Sequence, residues 1–269
     1  MKDITSDIIR DRIATLQEKR KDILELPAEK ALDAILESPD ALPLVHSFPA
    51  EDFYFLIHDI GLDDALQLIS MASQRQWEYI FDQEIWEKDR VRNQSLVKWF
   101  DLFLQSDASR FIKWLEEDRL DICELFLFKN IEIIKREHDE DPSDFSSDYF
   151  TFDNVYYIRI TDTYLDGDPD EVPSEKRERV IFNLLKKIAE DDYARFQRIL
   201  NEITAVIPSE TEEEVYRLKN VRLSERGFLP FEEAVGIYQP LTSREKDLFP
   251  VKKSFSKADE TGTLGIPFY

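Results

Sequence analysis

Three small groups of side chains carry the types and spacings that chemistry needs. In "EIWEKDR", residues 84–90, Trp86 offers an aromatic floor beside the charged pair Asp89 and Arg90, a combination that can hold a ligand. The competing reading is a packed Trp next to a surface ion pair on a helix. Arg222 and Arg226, one helical turn apart, form with Tyr238 a second candidate corner, suited to an anion. The alternating Asp166, Asp168 and Asp170 of "DGDPDE" raise the question of a divalent cation. A calcium-binding loop of the EF-hand type would need glycine at 171 and glutamate at 177. Glu171 and Arg177 stand there. Two readings remain for that run: weak surface attraction for Mg²⁺ or Ca²⁺, or a solvated loop.

Other catalytic patterns are missing. The three histidines, His46, His58 and His138, form no H-x-x-x-H pair, and one cysteine cannot complete a zinc site of the usual kind. His46 and His58 fall on or beside apolar faces and are expected to be satisfied structural groups. No glycine-rich phosphate loop and no G-x-S-x-G elbow occurs. The sequence thus calls for no cofactor.

Composition narrows the partners. Acidic residues number 57 against 35 basic ones, a formal charge of −22. Such a field repels phosphate backbones, so nucleic acid is not an expected partner; a protein is. At 42% hydrophobic and 12% aromatic, the chain has ample material for a core. No window approaches the 18 uninterrupted apolar residues of a membrane span. Cys123, alone and set in "LDICELFLF", reads as a buried thiol in a reducing setting, and a cytoplasmic location is expected.

The elements that must position these groups read as helices. Ile9, Ile13 and Leu16 recur at helical spacing near the start. "LPAEKALDAILESPD" and "FPAEDFYFLIHDIG" both open on Pro-Ala-Glu, with Pro27 and Pro49 suited to a first helical turn. Short amphipathic segments follow with brief connections, a loose repeat whose members must stack to bury their stripes. "LDICELFLFKNIEII" is apolar nearly all round, so the helix near Ile122 to Ile134 should be central. An acidic stretch then leads to "YFTFDNVYYIRI", read as a hairpin turning at Asp153-Asn154. Ser209 and Glu212 have the spacing of a capping box, and Gly227 should end that helix. The expected fold is mainly α: a helical array over 1–136, an acidic insertion with a β-hairpin over 137–173, and a C-terminal helical part and tail over 174–269.

"RLSERGFLPFEEAVGIYQPL", together with "LPAEKALDAILESPD", "FPAEDFYFLIHDIG" and "EIWEKDR", resembles an uncharacterised bacterial protein family, a domain of unknown function, from about residue 22 to 241. That resemblance implies no activity. The Pro-Ala-Glu openings are also similar to the cytosolic N-terminal helical domain of bacterial magnesium channels, a resemblance that implies acidic residues sensing magnesium. Phe53, Tyr54 and Phe55 depart from the small-residue repeats of those domains. Stacked helices, an acidic surface and the lack of a catalytic constellation together favour a non-catalytic interaction or regulatory scaffold. The alternatives are a small-ligand binder or enzyme built on Arg, Trp and carboxylates, and a divalent-cation responder.

Overall fold

A computed structural model describes residues 2–161 and 173–229, with side chains from Arg10 onward. Two compact units divide the chain, residues 1–219 and residues 220–269. Within the first, six helices follow one another: α1 (Lys2–Leu24), α2 (Ala28–Leu36), α3 (Ala41–Ser47), α4 (Ala50–Ile60), α5 (Leu66–Met71) and α6 (Gln74–Glu84). Pro27 and Pro49 stand immediately before α2 and α4, one position earlier than a first-turn proline, with extended ψ values of 147° and 148°. Gly61 ends α4 at φ 100°, a conformation that a side chain would strain.

α7 (Asn93–Asp118) is kinked at Asp107, whose φ of −160° and ψ of 87° break the helix. The Asp107 carboxylate then accepts from the Arg110 amide at 3.1 Å and caps the second half. α8 (Leu120–Asn130), α9 (Ser174–Asp191), α10 (Tyr193–Ile203) and α11 (Pro208–Glu225) complete the helices of the described residues. α7 is the hub: α5, α8 and α9 all pack on it, while α10 bridges α8 and α9. Salt-bridging of Arg195 to Glu116 at 2.6 Å also ties α10 to α7.

Aromatic rings fill the space between these helices. Trp77, Phe81, Phe100, Phe103, Phe111 and Phe126 are all essentially inaccessible. Phe100 meets Phe126 edge-on at 4.8 Å, and Trp77 lies 4.7 Å from Phe103. Edge-on and tilted contacts of this sort stabilise beyond the area they bury. The buried Gln76 joins two layers: it completes a capping box with Ser73 at the start of α6 and donates from Nε2 to the carbonyls of Val45 and Phe48.

Strand pairing departs from the expected hairpin. α8 stops at Asn130 rather than running on to Ile134, and Ile131–Lys135 form strand β3. Three of those five residues are isoleucines, whose branched side chains favour the extended chain. Their partner is β4 (Tyr156–Ile160), antiparallel, with Ile133 opposite Ile158. The Asp153–Asn154 turn does form, with Asn154 at φ 55° and Asp153 Oδ1 accepting from the amides of Val155 and Tyr156. It delivers a single bridge, Phe150 to Ile158, whereas β4 pairs along all five residues with β3.

The start of α11 also differs from expectation. Pro208 begins the helix, one residue before the anticipated Ser209 cap, and Glu212 turns into the protein instead of back to an amide. Of the second unit, residues 220–229 are described. There α11 ends in a Schellman arrangement: Phe228 N donates to Leu223 O, Gly227 N to Ser224 O, and Gly227 takes φ 87°.

Candidate functional site

The segment 84–92 is a hairpin, not helix. Trp86–Glu87 (β1) pairs antiparallel with Arg90–Val91 (β2) around a turn in which Lys88 has φ 57°. The amide of Arg92 closes it on Ile85 O at 2.8 Å. This corrects the helical reading of that stretch. The physical cause is position: the hairpin occupies the short gap between the end of α6 and the start of α7, where Ile85 and Val91 are buried and anchor both arms.

Two faces of the hairpin do different jobs. Toward α11, Arg90 Nη1 lies 2.8 Å from Glu212 Oε2, and Lys129 Nζ lies 2.8 Å from Glu212 Oε1. Glu212 is buried, which by itself raises its pKa, but the hydrogen bonds and charges of Lys129 and Arg90 outweigh burial and hold it below the usual carboxylate range. The Trp86 ring stands 5.4 Å from Tyr216, and Lys219 Nζ sits over both rings, 4.9 Å and 5.5 Å from their centroids. Trp86 and Arg90 together therefore clasp α11. Asp89 stays in the exposed turn.

The other side of Trp86 borders a cleft of about 760 Å³ within the first unit. Glu84, Arg92, Lys98, Lys176 and Asp63 contribute to its lining. Lys98 and Asp63 make no ion pair among the described residues. Trp86 Nε1 is buried and has no hydrogen-bond partner among the described residues. Lys176, near the start of α9, also reaches Asp101 at 2.9 Å.

Glu84 is the most constrained group of the cleft. Tyr54 Oη donates to its Oε1 at 2.6 Å, Trp99 Nε1 donates to Oε2 at 3.0 Å, and His58 Nε2 lies 3.2 Å from Oε1. Burial alone would raise its pKa. The hydrogen bonds from His58, Tyr54 and Trp99 and the charge of His58 prevail, and bring it down to about 2. Tyr54 moves the other way: burial, then the Glu84 carboxylate, drive its hydroxyl above the ordinary tyrosine value. A locked anion at the exit of α6 can polarise donors of a bound molecule. A sequence clue to it existed, since Tyr54 and His58 are i and i+4 on α4 and share a face.

Arg222 belongs to the last turn of α11 and Arg226 follows its end, both in the second unit. Tyr238, Asp166, Asp168 and Asp170 lie outside the described residues. Among the described residues no group of three or more His, Cys, Asp or Glu side chains is arranged to hold a metal ion. His46, as expected, is satisfied, with Nε2 2.9 Å from Met71 O. No helix of the described residues is long and apolar enough to cross a membrane.

Comparison with known proteins bears on the whole chain. A family of unknown function (DUF6178) matches residues 9–265. The chain belongs to this family. No curated protein matches it, and no solved structure does. Membership accords with the resemblance carried by the Pro-Ala-Glu openings and by "RLSERGFLPFEEAVGIYQPL". A likeness to magnesium channels finds no support among these matches.

Proposed function

We propose that this family member is a non-catalytic helical binding scaffold whose 1–219 unit receives a small polar molecule in the cleft beside Trp86. The ligand class is a small organic acid or zwitterion. One observation carries the reading: an open cleft brings the Lys98 ammonium, which makes no ion pair among the described residues, together with the carboxylates of Asp63 and Glu84. A volume of about 760 Å³ is in the range of metabolite pockets. Lys98 suits an anionic group, while Asp63 and Glu84 suit hydroxyl or ammonium donors on the same molecule.

The test is calorimetric titration of the whole chain with single hydroxy acids, amino acids and nucleoside monophosphates. Heat from at least one of these, weakened about tenfold by Lys98→Ala, is the expected result, equivalent to about 1.4 kcal/mol. If none of the compounds gives heat, or if Lys98→Ala binds as tightly as the unaltered protein, the cleft is not a receptor for this class.

A further inference from the structure

A second surface of the 1–219 unit lies where the end of α1 meets α4. Leu24, Leu26 and Phe55 stand there 44%, 39% and 62% exposed. Two grooves share Ile23 and Leu26 and so form one apolar strip: one runs past Phe55 and Leu56 of α4, the other past Ala34 and Leu44. Scattered exposed leucines are ordinary, but a grooved strip with a phenylalanine standing out of it is the form of a binding face.

Charge around the strip is predominantly negative. Asp22, Glu37, Asp52 and Asp59 contribute to the lining of the two grooves against a single cation, Lys19. None of the four carboxylates makes an ion pair among the described residues. Asp52, Phe55 and Asp59 are at i, i+3 and i+7 of α4 and therefore line one face, the two carboxylates roughly 10 Å apart along the axis.

From this geometry we infer that the strip docks a basic amphipathic helix of another protein, with an apolar residue seated against Phe55 and Leu26 and Lys or Arg residues about seven positions apart meeting Asp52 and Asp59. Spacing and charge select that occupant. A lipid surface with anionic headgroups is repelled by the same rim. In a two-fold dimer the patch would face itself, bringing the carboxylates of both copies together. Helix-in-groove recognition uses the i, i+3, i+4, i+7 anchors that such a face can accept. The inference is independent of the cleft: Lys98→Ala leaves it untouched, so the two fail separately.

The probe is a synthetic amphipathic peptide, Leu and Phe along one face and Lys at seven-residue spacing, against a scrambled peptide of identical composition. Fluorescence anisotropy on the full chain reads binding at low and at high salt. The ordered peptide is expected to bind at least about tenfold tighter than the scramble. Phe55→Ser removes that preference, and Asp52→Asn with Asp59→Asn lowers affinity and flattens its salt dependence. Phe55 is exposed, so its replacement leaves the core intact; unchanged thermal melting verifies that. Equal binding of the two peptides marks mere attraction to an acidic protein and overturns the inference. So does a preference that survives Phe55→Ser, or a dimer in sedimentation velocity that Phe55→Ser dissociates.

Discussion

Arg90 and Glu212 lie 122 residues apart in the chain, yet Nη1 of one is 2.8 Å from Oε2 of the other. The partners are unequal: the Arg90 side chain is 64% exposed, while that of Glu212 is 6% exposed and also holds Lys129. Removing the buried member leaves the Lys129 ammonium in poor solvent. Glu212→Ala is therefore expected to cost about 3 kcal/mol in urea unfolding, and Arg90→Ala, which deletes an exposed charge, much less. Equal losses from the two substitutions would contradict this asymmetry.

Acid should act on Glu84. Its folded-state pKa, about 2, lies below the ordinary 4.5. A depressed carboxyl stabilises the fold above its unfolded value, and that contribution disappears as pH falls from about 4.5 toward 2. Glu84→Gln is expected to be less stable than the unaltered protein at neutral pH, with the gap narrowing below pH about 4. Urea midpoints of both proteins across this window check it; a gap that stays constant would mean that Glu84 is not held ionised.

Gln76 should matter more than a surface glutamine. Its Nε2 satisfies the carbonyls of Val45 and Phe48 at 2.8 Å and 3.1 Å, and Oε1 accepts from the Ser73 amide at 2.7 Å. Gln76→Leu keeps the bulk and strands these buried groups. The expected loss is about 2–3 kcal/mol, read by calorimetric melting. A loss within about 0.5 kcal/mol, typical of surface sites, would show that water replaces the side chain without penalty.

Cys123 provides a built-in reporter of opening. Its thiol is fully buried, and burial, reinforced by Glu124, Glu116 and Asp121, drives its pKa upward, away from the reactive thiolate. A thiol reagent added to the native protein should label it only as fast as the fold opens, and denaturant should make labelling immediate. Rapid labelling under native conditions would place α8 near the surface rather than in the core.

Much of the fold was written in local pattern. Stripes such as Val180, Leu184, Leu185 and Ile188 point to one buried side, and all four are buried in α9. Gly227, expected to end a helix, does so with a positive φ. These features depend on neighbours a few residues away, and the chain itself carries that information. The break between Asn130 and Ile131 was harder, because an all-apolar run suits a buried helix and a buried strand equally; only the arrival of Tyr156–Ile160 decided it.

The candidate site depended on distance in sequence. Trp86 and Arg90 were visible as an unusual pair, but their partners Tyr216, Lys219 and Glu212 come from a helix more than a hundred residues later. Glu84 is not among the residues that spacing singles out, and it gains its role when α4 and α7 bring Tyr54, His58 and Trp99 around it. Helical periodicity determines which face of a segment is apolar, and hence that these helices must stack. Which carboxylate ends up buried among donors is settled only when the stacked faces meet, because desolvation and charge pairing act between segments and leave no mark in any one of them.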